Sequence, residues 1–406
     1  VDVRYNPFDM ERAARLALNP RLLFVAKFFA NIKILNAVIT LFFLHRGLPI
    51  DQVIYLSAIF GAATLVVEVP TGYIADRWGR RATLQAGMIC LALSQFINLF
   101  ASDFLTFAAS FIVLAFASAC FSGTEEATLY DSLKELGRES QMTRYWGRLL
   151  SAQNLPKIFF PPIGAFIAKD LLDWQFQTLL WVDIAAALVG MLVLFFVIEP
   201  KHERDVEAYE EGIFRESVRT VRERPLLLRA ALNKVTPAIV SVLVWRAYQP
   251  YLMDLGASVI WLGIFYVFMH GAVFSLRWAS EWAEAQFGDA RVLNATAWMM
   301  ALALLCSTLV PNAWIVSLFL VLFFAGNALR EPMYSHWMNR QIHSRSRATT
   351  LSNLNVFRAA IDVPLMLAGG ALAVLDVRWT LLLCASLCLF VFLFLRIPAD
   401  DGRMVE

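Results

Sequence analysis

Long apolar runs, each ended by a short charged or Pro/Gly-rich stretch, recur along all 406 residues. A bilayer-crossing helix needs roughly 20 predominantly apolar residues, and runs of that kind fall at 21–44, 53–75, 82–101, 104–130, 147–168 and 177–198, then at 228–252, 258–280, 292–310, 314–338, 349–374 and 376–396. They are continuous, whereas membrane-barrel strands alternate over about ten residues. Helices also pair their own backbone groups, as hydrocarbon requires. The pattern therefore predicts an all-α polytopic membrane protein of twelve transmembrane helices. The longest polar break, Glu199 to about Leu226, divides it into a six-helix bundle over 1–198, a linker over 199–226 with a surface helix around Tyr209 to Arg224, and a second six-helix bundle over 227–406.

Composition agrees with an apolar solvent: 59% of residues are hydrophobic and 17% charged, against about 45–50% apolar in soluble domains. A net charge of +2, dispersed between the runs, gives no basic face for nucleic acid. The cysteines Cys90, Cys120, Cys306, Cys384 and Cys388 sit inside apolar runs and form no metal or disulfide pattern. The stretch Val1–Asn19 does not read as a signal peptide; Phe8, Met10, Ala13, Leu16 and Leu18 predict a short amphipathic lead-in. Lys and Arg concentrate in alternate connections, at Arg77, Arg80 and Arg81, at Lys134, Arg138 and Arg144, in the linker, and at Arg340, Arg345 and Arg347. By the positive-inside rule these connections and both termini are expected in the cytoplasm, in a cytoplasmic (inner) membrane.

The halves share a weak pattern. Phe121-Ser122-Gly123 before Leu129-Tyr130 is echoed by Phe324-Ala325-Gly326 before Met333-Tyr334, and Asn154-Leu155 before Pro161-Pro162 and Gly164 by Asn353-Leu354 before Pro364 and Gly369-Gly370. Their common order predicts a pseudo-twofold pair of bundles with a solute path between them.

Between the second and third runs stands Gly72-Tyr-Ile-Ala-Asp76-Arg77-Trp-Gly79-Arg80-Arg81, preceded by Glu68-Val-Pro70-Thr71. Gly72 permits close helix approach, Gly79 a tight turn, and Asp76 can accept charge-assisted bonds. This loop resembles the cytoplasmic signature of the major facilitator superfamily, Gly-x-x-x-Asp-Arg-x-Gly-Arg-Arg/Lys, and matches it completely. The resemblance implies a transporter in which Glu68, Gly72, Asp76, Arg77, Gly79, Arg80, Arg81 and Asp131 belong to a conformational gate. The second half echoes Trp78-Gly79 with Phe287-Gly288 but lacks the Asp-Arg pair, so a less symmetric gate is expected.

Charges at membrane depth are costly and default to functional hypotheses. The first half carries Lys27, Lys33, Glu68, Glu125, Glu126, Asp131, Lys157 and Asp183, and the second Arg246, His270, Arg330, Glu331, Arg358 and Asp362. Glu125 and Glu126 point about 100° apart on a helix, so one can face a cavity while the other pairs with Lys27 or Lys157. Arg358 and Asp362, at i,i+4, can form an internal salt bridge; Pro332 beside Arg330-Glu331 can expose backbone groups. Asn154 can bond a solute or a neighbouring helix, and Trp245, Tyr248 and Tyr251 beside Arg246 form either a polar-aromatic group or an interfacial anchor.

No nucleophile–base pair, metal cluster or phosphate-cradling loop emerges, so neither an enzyme nor an ATP motor is expected. The candidates for solute binding or proton coupling are Lys27, Glu125, Glu126, Asn154, Lys157, Arg246, His270, Arg330, Glu331, Arg358 and Asp362. The expectation is secondary transport without a cofactor. Proton is the expected coupling ion, with sodium left open, and an amphipathic organic molecule the expected exported solute; the protein is expected to work as a monomer among membrane lipids. The fifth run, Gly147 to Gly164, partly resembles the Gly/Pro-rich helix of superfamily antiporters but lacks their Gly-Pro-Gly-Gly core. Uptake or exchange of a polar or anionic metabolite, and a non-transporting sensor or scaffold, stay open.

Overall fold

The computed structural model describes residues 7–201, 225–341 and 347–398. The surface helix expected around Tyr209 to Arg224 lies outside them. The lead-in forms helix α1 (Pro7–Leu16). The first span is built in pieces: α2 (Asn19–Ala30), a 3-10 turn (Ile34–Val38) and α3 (Ile39–His45). Next come α4 (Ile50–Trp78) and α5 (Arg80–Phe100). The fourth span is also divided, into α6 (Phe104–Phe121) and α7 (Thr124–Glu135). The first half closes with α8 (Met142–Ile167) and α9 (Asp173–Leu194). The second half runs α10 (Pro225–Asp254), α11 (Val259–Phe287), α12 (Asp289–Leu309), α13 (Ala313–Gln341), α14 (Arg347–Leu375) and α15 (Val377–Phe394).

These make the twelve spans that the apolar pattern predicts, and no strand occurs among the described residues. Ten are long and apolar enough to cross a membrane by length and composition alone. The other two, α8 and α14, are diluted by polar residues but are 26 and 29 residues long, ample for hydrocarbon at 1.5 Å per residue.

The chain forms two compact units, Val1–Phe42 with Ile59–Val206, and Phe43–Ala58 with Glu207–Glu406. In the first, α5 packs on α6 and α9, and α2 packs on α8 and α9. In the second, α12 packs on α13 and α15, and α10 on α14 and α15. The same four pairings in the same order are the structural form of the repeated sequence pattern. Large apolar side chains turn outward around both units, among them Phe159, Phe166, Trp181, Phe196, Phe268, Trp298 and Phe390, as expected when the solvent is lipid.

Candidate functional site

The first unit contains two helix interruptions at membrane depth. α2 ends at Asn31, whose N–H bonds the Lys27 and Phe28 carbonyls and whose Nδ2 bonds the Lys27 carbonyl at 2.8 Å. Lys33, at φ −128° and ψ 68°, is non-helical. Asp183 on α9 fills the gap: its Oδ1 accepts from the Ile34 amide at 2.9 Å, and the Leu35 amide also bonds this carboxylate. Orphan amides are thereby satisfied without water. Gly164 on α8 closes the other side; a Cβ there would stand 1.9 Å from the Ile34 carbonyl oxygen, so backbone meets backbone. In the fourth span, Gly123 adopts φ +71° between α6 and α7.

An ion pair joins the cut ends. Lys27, in the last turn of α2, bonds Glu125, in the first turn of α7. Each charge lies at the helix end whose dipole favours it, an effect of about 0.3–1 kcal/mol apiece. The pair is nearly enclosed, with side-chain exposures of 10% and 12%, and the Lys27 ammonium stands 5.8 Å from the centre of the Trp146 ring. Glu126 is exposed. Of the two glutamates, Glu125 is the one paired with Lys27.

A second group lies where the basic connections gather. Glu199 accepts from the Arg80 amide at 2.7 Å and the Arg81 amide at 2.9 Å, capping α5, while the Arg80 guanidinium pairs with Asp131. Arg12 bonds Glu135 at 2.7 Å and the Glu199 carbonyl at 3.0 Å. Gly79 sits at φ +94°, ψ 152°, a region essentially restricted to glycine, with the Glu199 carboxylate 3.2–3.3 Å from where a Cβ would stand. The close approach expected at Gly72 is not made: a Cβ there meets nothing within 4 Å, because α4 leaves that face uncovered. Gly79→Ala should therefore lower stability by about 1–3 kcal/mol, whereas Gly72→Ala should raise it by up to about 1 kcal/mol; thermal unfolding of both in one detergent checks the contrast.

The second unit repeats the turn. Gly288, at φ +76° and ψ 151°, has nearly the backbone of Gly79. Here Asn294 clasps Ile397 in both directions, at 3.0 and 3.1 Å, much as Asn19 clasps Ile198 at 2.8 and 3.0 Å. Arg330, 2% exposed, donates to the carbonyls of Leu293 and Asn233, to the Asn233 side chain, to Thr296 at 2.9 Å and to Tyr334 at 3.2 Å, stitching α10, α12 and α13. Deeper in this unit, Trp245 lies 5.5–6.2 Å from Tyr248, Tyr266, His270 and Phe324. The adjacent Arg246 is buried and bonds Ser57 at 2.8 Å.

The sequence profile of the Major Facilitator Superfamily matches residues 22–361. The chain belongs to the Major Facilitator Superfamily. It is similar to the uncharacterized MFS-type transporter YxaM of Bacillus subtilis (strain 168), 26% identical over 254 residues, 60% of each chain. The matched stretches span 39% and 60% of the length of the curated relatives it matches. Among solved structures, a mutant of the nucleoside transporter NupG superposes at a TM-score of 0.77 and 12% identity, covering 94% of this chain and 98% of that one. A D-xylose-proton symporter does so at 0.69 and 14%, covering 98% and 99%. At such identities these two likenesses concern the fold alone.

In this superfamily member the structure brings together Lys27 with Glu125, and Arg80 with Asp131. Arg246 and His270 flank the Trp245 group. Asn154 bonds the Leu150 carbonyl of its own helix at 2.9 Å. Lys157 and Asp362 are half-buried, and Glu68, Arg77 and Glu331 are exposed. The side chains of Asp76 and Arg358 lie outside the described residues, so the expected Arg358–Asp362 bridge does too. Left out of the candidate group were Asp183 and Lys33, which the depth of a charge in an apolar run signals, and Glu199 and Trp146, which nothing local distinguishes.

Proposed function

We propose that this protein is a proton-coupled secondary transporter that exports an amphipathic small organic molecule by alternating access, in a cytoplasmic membrane with both termini on the cytoplasmic side. The observation that carries this reading is the enclosed Lys27–Glu125 pair between two cut helices. Interrupted membrane helices expose backbone groups where solutes and ions bind, and a charge held at that depth is retained where function uses it. A solute bearing an amine and a flat apolar body can compete with Lys27 for Glu125, take Glu126 as a first contact, and stack on Trp146. The arginine-rich alternate connections support the orientation.

Uptake or exchange of a polar or anionic metabolite is the second reading. Arg246, buried beside Ser57 and the Trp245 rings, favours it, and the similar folds include proteins named for a nucleoside and for D-xylose. Proteoliposomes enclosing a pH-sensitive dye separate the two. Added ethidium should drive proton movement opposite to its own. Movement evoked instead by uridine or D-xylose, in the same direction as the solute, selects uptake; silence with all three favours a non-transporting sensor or scaffold.

A further inference from the structure

We infer that Asp183 is the protonation site of this protein, and that the interruption at Asn31–Lys33 is the joint through which its protonation acts on the Lys27–Glu125 pair. The coupling part rests on the proton-coupled reading above; the protonation site and the joint stand on geometry.

Asp183 is 4% exposed, and its carboxylate takes the Ile34 and Leu35 amides, the first donors after the cut. As a carboxylate it offers two acceptor oxygens; once protonated, one oxygen carries a donor and part of that acceptance is gone. The amide bonds then weaken at a buried site, and a poorly met buried donor is costly. The turn cannot shift toward α8, because Gly164 already meets the Ile34 carbonyl. The change is therefore transmitted along the first span. Lys27 lies on the α2 side of the cut, and its carbonyl is held by both nitrogens of Asn31, so loosening the turn moves the ammonium that Glu125 holds.

The charges around Asp183 fit this role. Lys33, half-buried in the joint, is the charged group that acts on it electrostatically. From α2 comes Lys27, already bonded to Glu125. α8 carries Arg144, Arg148 and Lys157, the last of them two turns from Gly164, about 10 Å along the helix. α5 carries no charged residue from Ala82 to Phe100. Glu125 touches an ammonium directly, whereas Asp183 faces amides, so of these two it is Asp183 whose protonation acts on backbone hydrogen bonds.

Infrared titration of the full chain in lipid nanodiscs tests this with the proton as the only ligand. Acidification should bring up, apart from the absorption of the exposed carboxyl groups, a carboxylic-acid band of a buried group, together with loss of hydrogen-exchange protection at residues 34–38 after correction for intrinsic rates. Both should be absent in Asp183→Asn and present in Glu125→Gln. Lys33→Gln keeps Asp183 and its amide partners but removes the neighbouring positive charge, so the band should arise at less acidic pH by about one unit or more. A band that survives Asp183→Asn, one that vanishes with Glu125→Gln, protection that ignores the titration, or an unmoved midpoint in Lys33→Gln each overturns the assignment. The Lys33 variant decides the matter even where Asp183→Asn does not fold. Failure of every solute in the vesicle assay, with the infrared result intact, would count against the transport reading alone.

Discussion

Gly164→Val is expected to leave no correctly folded protein in the membrane, and Gly164→Ala to destabilise it by about 3 kcal/mol or more, at or beyond the upper end for overpacking. The reason is the identity of the obstacle. At most tight glycines an added methyl meets a side chain that can swing away, as Gly326 meets Met299 and Met300. At Gly164 it meets the carbonyl of Ile34, 1.9 Å away, in a turn whose amides are committed to Asp183. Gly147→Ala, on the same helix with nothing within 4 Å, is the control and should be neutral or slightly stabilising. Fluorescence-detected size exclusion followed by thermal unfolding reads both. A Gly164→Ala protein as stable as the wild type would show that the joint is not packed as described.

The second large effect belongs to the ion pair. Glu125→Leu alone, or Lys27→Met alone, should lose about 3–5 kcal/mol, because each strands a charge in an enclosed site. Lys27→Met with Glu125→Leu should recover most of the loss, since apolar groups of similar size often replace buried pairs at little cost. Transport should nevertheless stay abolished in the double variant. Additive destabilisation in this double-mutant cycle would mean that the two charges are not coupled; full transport by the double variant would remove the pair from the mechanism.

The fold was legible because hydrocarbon reads length and polarity, which the sequence displays openly. The twelve spans and the glycine turn at residue 79 are local properties. The interruptions are not. Around Asn31 the sequence shows a polar residue and a lysine, which an unbroken helix could also carry; the cut is held by Asp183, 149 positions away from Ile34. Helix geometry said that Glu125 and Glu126 must part, and only Lys27, 98 positions away, decided which was paired. Arg330 was a candidate for solute binding or proton coupling in sequence, and its neutral partners come from Asn233, Leu293, Thr296 and Tyr334. The side chains that recruit these charges are distant along the chain, so local pattern narrows the candidates without choosing among them.

Two kinds of fastening close the first unit: Glu199 and the Arg80–Asp131 pair at the Gly79 turn, and the two-way Asn19–Ile198 clasp. Attraction between charges near water weakens as electrolyte is added, whereas a two-way amide bond scarcely responds. Ionic strength therefore acts on the charged fastening of the Gly79 turn more than on the clasp. Brine should loosen the one and leave the other closed.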